Sequence, residues 1–250
     1  MAKRPQEHLD FLDQIKPIVR TYEPAISVTT HAQRARVLAV VGPAGIGKNT
    51  LMAASGLHIA TSVTSRPRRD TDTTIRHYHD FTKADDRRYV LTRLDDRSFI
   101  QIISHPATGE MYASEPEDYP LDTISLWDAT ATEYQRVRKA NIFGSLLNAY
   151  IVTPTYEQWQ EQWLGRTNGD RPDDYIGRMV EAHNSLTISL RDPETTFMLN
   201  TDVEESGLVL RGIAFGKQPT LYESDAARAA AYRLLDGIAE SGVQTHKRTL

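Results

Sequence analysis

Between residues 36 and 202, short apolar runs alternate with stretches of helical periodicity. The runs at 37–41, 58–63, 123–127, 149–152 and 196–199 have the length and the bounding turn residues of buried strands. The stretches at 48–55, 131–139, 156–164 and 173–190 read as helices. Pro154 ends one of the runs and can open the helix that follows. Alternation of this kind predicts an α/β fold, a parallel sheet with helices on both faces. Ahead of it, within 1–35, Leu9, Phe11, Leu12, Ile15 and Ile18 have the spacing of an amphipathic helix, which packs on the domain or on a partner. Behind it, a mainly helical extension over 203–250 carries an Ala-rich helix with an apolar stripe at 225–238. Two stretches break the alternation. Residues 66–122 are polar, with strand-like pieces such as 98–103, and read as a small mixed α+β insertion. Residues 165–174 are hydrophilic and turn-rich between two helices, which suits a mobile lid.

The first apolar run leads into Gly42-Pro43-Ala44-Gly45-Ile46-Gly47-Lys48-Asn49-Thr50. A strand, a glycine-rich turn and a lysine opening a helix make a phosphate-binding loop. The glycines let the backbone curl with its N–H groups inward, and Lys48 reaches the terminal phosphates as a point charge. The expected ligand is therefore a nucleoside triphosphate. The usual spacing ends in a Ser or Thr whose hydroxyl binds Mg2+. Here Asn49 stands at that position, so Asn49 is the candidate metal ligand through its side-chain carbonyl.

Composition narrows the class without naming a reaction. The 29 Lys and Arg against 33 Asp and Glu give a net charge of −4, which does not advertise a nucleic-acid partner. The absence of cysteine excludes a disulfide framework and thiolate chemistry. No apolar run is long enough to span a membrane. The N-terminus turns acidic without an apolar signal core, so the expected location is the cytoplasm. The eight histidines show no metal-ligand spacing. Trp127, Trp159 and Trp163 read as packing residues, and oligomeric state is not legible.

Downstream of the loop come Ser62-Val-Thr-Ser-Arg66-Pro-Arg-Arg69, Tyr78 with Phe81 three positions on, Phe99-Ile-Gln101, Met111-Tyr112-Ala-Ser114, Asp128, Arg166 and Arg178. In that order the chain resembles the guanylate kinase family over roughly residues 36–202. The resemblance implies a P-loop three-layer sandwich in which 66–122 binds the acceptor and 165–174 is the lid. It implies ATP as donor, Mg2+ as cofactor and GMP as the favoured acceptor. The donor would be bound by residues 42–50, with Asn200 near its adenine. Arg66, Arg69, Tyr78 and Tyr112 would hold the acceptor's phosphate, since Arg forks suit phosphate oxygens. Ser62, Gln101, Ser114 and Asp128 would face its base. Lys48, Arg166 and Arg178 would be the catalytic cations that neutralise developing charge. Asp128 has a plainer reading too, as a cap on the next helix.

The family pattern is not followed throughout. Gln101 replaces a Glu that accepts two hydrogen bonds from guanine, and Gln offers a single acceptor oxygen. Gln162 stands where a second lid arginine is usual, and Ala113 replaces a glycine. Two further readings follow. One is a ribosyl bisphosphate phosphokinase-like enzyme with a sugar-phosphate acceptor, to which Gln101 gives weight. The other is a guanylate-kinase-like module that binds phosphopeptides or proteins without catalysis, against which the intact loop and Lys48 argue.

Overall fold

The structure, a computed structural model, describes residues 4–68, 76–105, 109–165 and 175–241. The strands are β1 (Arg36–Val41), β2 (His58–Ile59), β3 (Ser62–Thr64), β4 (Arg76–Tyr78), β5 (Gln101–Ser104), β6 (Met111–Ser114), β7 (Ile124–Asp128), β8 (Ser145–Val152) and β9 (Thr196–Leu199). The helices are α1 (Gln6–Arg20), α2 (Ile26–Ala32), α3 (Lys48–Ala54), α4 (Ala84–Asp95), α5 (Ala131–Lys139), α6 (Tyr156–Gly165), α7 (Tyr175–Arg191), α8 (Val203–Ala214) and α9 (Leu221–Glu240). The chain divides into two compact units. The fold is the α/β class read from the sequence, a five-stranded parallel sheet accompanied by a smaller mixed sheet.

The larger unit comprises Val37–His58, Leu126–Ala140 and Leu146–Leu250. Its sheet runs β2-β7-β1-β8-β9. Every residue of β1 after Arg36 is buried, as is β8 from Asn148 onward, which is why these strands read as continuous apolar runs. β8 and β9 pair in parallel, Ala149 opposite Thr196 through Val152 opposite Leu199, and the crossover between them carries α6 and α7. Helix α3 packs on α8, and α7 packs on both α5 and α9. Several helix starts are written locally. Thr130 and Glu133 form a reciprocal capping box on α5, Thr220 and Glu223 do so on α9, and the Asp202 carboxylate accepts from the Glu204 and Glu205 N–H groups at the head of α8.

The smaller unit comprises Met1–Arg36, Ile59–Ser125 and Asn141–Ser145. Its sheet runs β4-β3-β6-β5, with β3 parallel to β4 and antiparallel to β6, and β5 antiparallel to β6. One face carries Val63, Ile102, Met111 and Ala113 into a core completed by Phe11 and Ile15 of α1, Val90 and Leu94 of α4, and Phe81 and Phe99. The N-terminal amphipathic helix is thus part of this core. Its start is tied down by polar contacts. Arg4 pairs with Glu110, Glu110 accepts from the Ser65 hydroxyl, and the buried His8 stacks on Phe81 with ring centroids 5.2 Å apart.

The structure corrects some boundaries. The run at 58–63 is not one strand but two, β2 and β3, in different sheets. The side-chain pattern is continuous across the break, so periodicity does not register the change of sheet. Helix α4 lies in a stretch read only as polar, because just Val90 and Leu94 of its twelve residues are buried. Helices α2 and α8 fall in the terminal extensions, which the sequence marks as helical without bounding these two. The lid stretch from 166 to 174 lies outside the described residues. Among the described residues, no helix is long and apolar enough to cross a membrane.

Candidate active site

In the larger unit the chain leaves the buried end of β1 and turns through Gly42 to Gly47 into α3. Gly45 and Gly47 have φ of +83° and +95°, a left-handed conformation that L side chains rarely adopt. Space is also closed to a side chain. A Cβ at Gly45 would lie 2.7 Å from the Trp163 Cβ, and one at Gly47 would lie 2.6 Å from the Asn200 amide nitrogen. The Lys48 ammonium folds back over the loop, donating to the carbonyls of Gly42 at 2.7 Å and Pro43 at 3.3 Å. Asn49 is half-buried and Thr50 exposed. Helix α3 has seven residues, so an anion at the loop would be held by the loop's own N–H groups and Lys48 more than by a long helix dipole.

Asp128 ends β7, the neighbour of β1, and its carboxylate stands 3.9 Å from the Lys48 ammonium. Strand adjacency brings it there. The resemblance assigns Asp128 to the acceptor's base; in the structure it falls in the larger unit with the loop. Nor does it cap α5, since Thr130 does. Asn200 follows β9, and its amide donates to the Ile46 carbonyl at 2.8 Å. Beside it opens a cavity of about 220 Å³ lined by Pro154, Gln158, Glu161, Gln162, Asn200 and Thr201. Arg178, in the first turns of α7, pairs with Glu181 at 3.2 Å. Arg166 lies outside the described residues.

The remaining candidates collect on the mixed sheet. Residues opposite each other across strands share a face, and successive residues alternate faces. The register pairs Ser62 with Arg76, Thr64 with both Tyr78 and Tyr112, and Gln101 with Ser114. Ser62, Tyr78, Gln101, Tyr112 and Ser114 therefore lie on one face, opposite the one that carries Val63, Ile102, Met111 and Ala113 into the core. Arg66, just past β3, donates to the Tyr78 hydroxyl at 3.3 Å and lies over its ring at 5.2 Å. Gln101 and Ser114 are both buried, and among the described residues the Ser114 hydroxyl has no hydrogen-bond partner. A buried hydroxyl left unmatched costs about 1–3 kcal/mol, so a water or a ligand atom bonding there would be favoured. Arg69 lies outside the described residues.

Sequence reading missed Arg76. Its guanidinium donates to the Ser62 hydroxyl at 2.8 Å and lies 5.3 Å over the Tyr112 ring. The signal available was its place two residues before Tyr78, which alternation puts on the same face. Two arginine–tyrosine stacks thus share this surface.

No protein-family model matches the chain. No curated protein matches it. Among solved structures the chain is similar to the crystal structure of guanylate kinase from Anaplasma phagocytophilum, with 14% identity and a TM-score of 0.46 over 76% of this chain and 89% of that one.

Proposed function

We propose that the chain is an ATP-dependent phosphotransferase acting on a nucleoside monophosphate, with GMP the favoured acceptor and GDP the product. The observation that carries this reading is the 42–48 loop, with two left-handed glycines and Lys48 held over it 3.9 Å from Asp128. A polyphosphate entering the loop would replace the carbonyls that now occupy Lys48. The cavity beside Asn200 would take the donor's base. Mg2+ favours oxygen ligands and keeps several waters, using one or two protein oxygens and the substrate's phosphates. The Asp128 carboxylate and the Asn49 side-chain carbonyl are donors of that kind, and both lie in the larger unit with the loop. Bound there, the ion would neutralise charge on the phosphates. Asp128 accordingly serves the donor in this reading rather than the acceptor's base.

Phosphoryl transfer needs an acceptor surface as well as a donor cradle, and the polar face of the mixed sheet supplies one. Arg66 with Tyr78, joined by Arg69 and Tyr112, would hold the acceptor's phosphate. Ser62, Gln101 and Ser114 would meet its base, the unmatched Ser114 hydroxyl being the strongest support for a polar ligand there. Arg178 and Arg166 would neutralise the transferring group. Alignment and charge stabilisation carry such a rate, and no covalent intermediate is required. Residues 36–202 form the catalytic domain in this reading, with 1–35 and 203–250 as extensions.

One observation favours a second acceptor. Gln101 is neutral and buried, and Arg76 adds a guanidinium to the same face. A neutral amide in place of a carboxylate with one more cation suits a sugar carrying a second phosphate better than the paired N–H groups of guanine. Both readings are tested by coupled ADP release from ATP and Mg2+ with GMP, dGMP, AMP, IMP, UMP, CMP and ribose bisphosphate. Fastest turnover is expected with GMP. Turnover of the sugar phosphate alone assigns the second acceptor, and no ADP above background with any of them defeats both.

A further inference from the structure

The phosphate loop is held from outside by two side chains that no feature of the loop motif requires. The indole N–H of Trp159 donates to the Ala44 carbonyl at 2.8 Å, and the Asn200 amide donates to the Ile46 carbonyl at the same distance. In a trans peptide the C=O and the N–H that follows it point to opposite sides. Pinning the Ala44 carbonyl therefore aims the Gly45 N–H the other way, and pinning the Ile46 carbonyl does the same for the Gly47 N–H. These are the left-handed glycines, the residues whose peptides are freest to rotate.

The pins are stiff. Trp159 is fully buried, and its indole nitrogen is a donor with no acceptor role, so it cannot be satisfied by a flipped peptide presenting N–H. Its ring stacks on Trp163 at 5.4 Å and 11°, and Trp163 stacks on Tyr175 at 5.0 Å and 5°. Trp163 also backs Gly45 directly, leaving no room for a side chain there. The two tryptophans are one helical turn apart on α6, which puts both on the side that meets the loop.

We propose that Trp159 and Asn200 are positioning residues for the donor's phosphates. Each fixes one outward carbonyl of the loop so that the N–H groups of Gly45 and Gly47 converge on the polyphosphate. This rests on the donor reading of the loop given above, and it makes the loop, rather than the donor's base, the object of Asn200.

The test uses the full chain and two probes, MgATP and inorganic tripolyphosphate, which has phosphates but no base. Trp159→Phe keeps a buried ring and removes the N–H, and Asn200→Ala removes the second donor. Each variant is expected to weaken both probes by the same factor, about tenfold, the size of one lost hydrogen bond. The KM for ATP should rise with it while the KM for the acceptor stays unchanged. In wild-type protein the Gly45 and Gly47 amide resonances should move on adding tripolyphosphate. In each folded variant the shift of the unpinned glycine should shrink. Weakened ATP with unchanged tripolyphosphate affinity would overturn the proposal by placing these residues at the base, and so would unchanged affinity for both. Circular dichroism checks folding, and if Trp159→Phe does not fold, Asn200→Ala decides alone. Wild-type protein that binds neither probe defeats the donor reading itself, a result distinct from wild-type binding that the variants leave intact.

Discussion

Single residues decide the chemistry at two positions. Lys48 is the one side chain that the loop directs at its own carbonyls and at Asp128, at 2.7 and 3.9 Å. Lys48→Ala should abolish phosphoryl transfer while leaving the far-ultraviolet circular dichroism unchanged, and near-normal ADP release would remove the loop from the mechanism. In the proposed reading Gln101 decides the acceptor. Restoring a carboxylate by Gln101→Glu adds a charge-assisted hydrogen bond to guanine, worth about 1.5–3 kcal/mol. The kcat/KM for GMP should rise by one to two decades, measured as coupled ADP release. An unchanged or lower value means that Gln101 does not read the base. The loop glycines and Lys48 were legible because their spacing is local. Arg76 was not, because its value comes from strand pairing with Ser62 and from the Tyr112 ring, 36 positions on.

At the scale of elements, α1 is the clearest case of a segment whose role the sequence left open. Its apolar stripe was readable, but not its partner. Phe11 and Ile15 close the core of the mixed sheet on the side away from Tyr78 and Ser114. Phe11→Ala should cost about 3–5 kcal/mol in the stability of this unit, read from urea unfolding, because the T-shaped contact with Phe81 at 4.7 Å leaves a void when removed. A loss below about 1 kcal/mol would mean that α1 is only an appendage. Helix α4 shows the converse limit of pattern reading. Its sequence is charged on most of its surface, and two buried residues are too few to raise a period-3.6 signal above its surroundings.

At the scale of the whole molecule, stability should respond to acid through Glu110. Burial acts to raise its pKa, but the Ser65 hydroxyl, His8 and the Arg4 charge outweigh burial and hold it below the ordinary 4.5. His8 Nε2 is 3.7 Å away, beyond hydrogen-bond reach, so Ser65 and Arg4 are the close partners. A carboxylate with a depressed pKa contributes stability above its unfolded value and loses it as pH falls through the folded value. The unfolding temperature should therefore drop as pH falls below the ordinary 4.5, and Glu110→Gln should flatten that drop. An equally steep profile in the variant would assign the acid response elsewhere. The sequence by itself determined the α/β class and the glycine-rich loop between β1 and α3, and it offered the arginine, tyrosine and serine residues that the proposed reading gives to an acceptor. Those are set by periodicity and by spacing along the chain. Only the tertiary structure decided that Asp128 stands with Lys48, that α1 completes the mixed sheet's core, and that Trp159 and Asn200 grip the loop. The Asp128, Trp159 and Asn200 contacts join positions 80 to 154 residues apart and the Phe11–Phe81 contact positions 70 apart, and strand order and sheet register, not local pattern, bring such positions together.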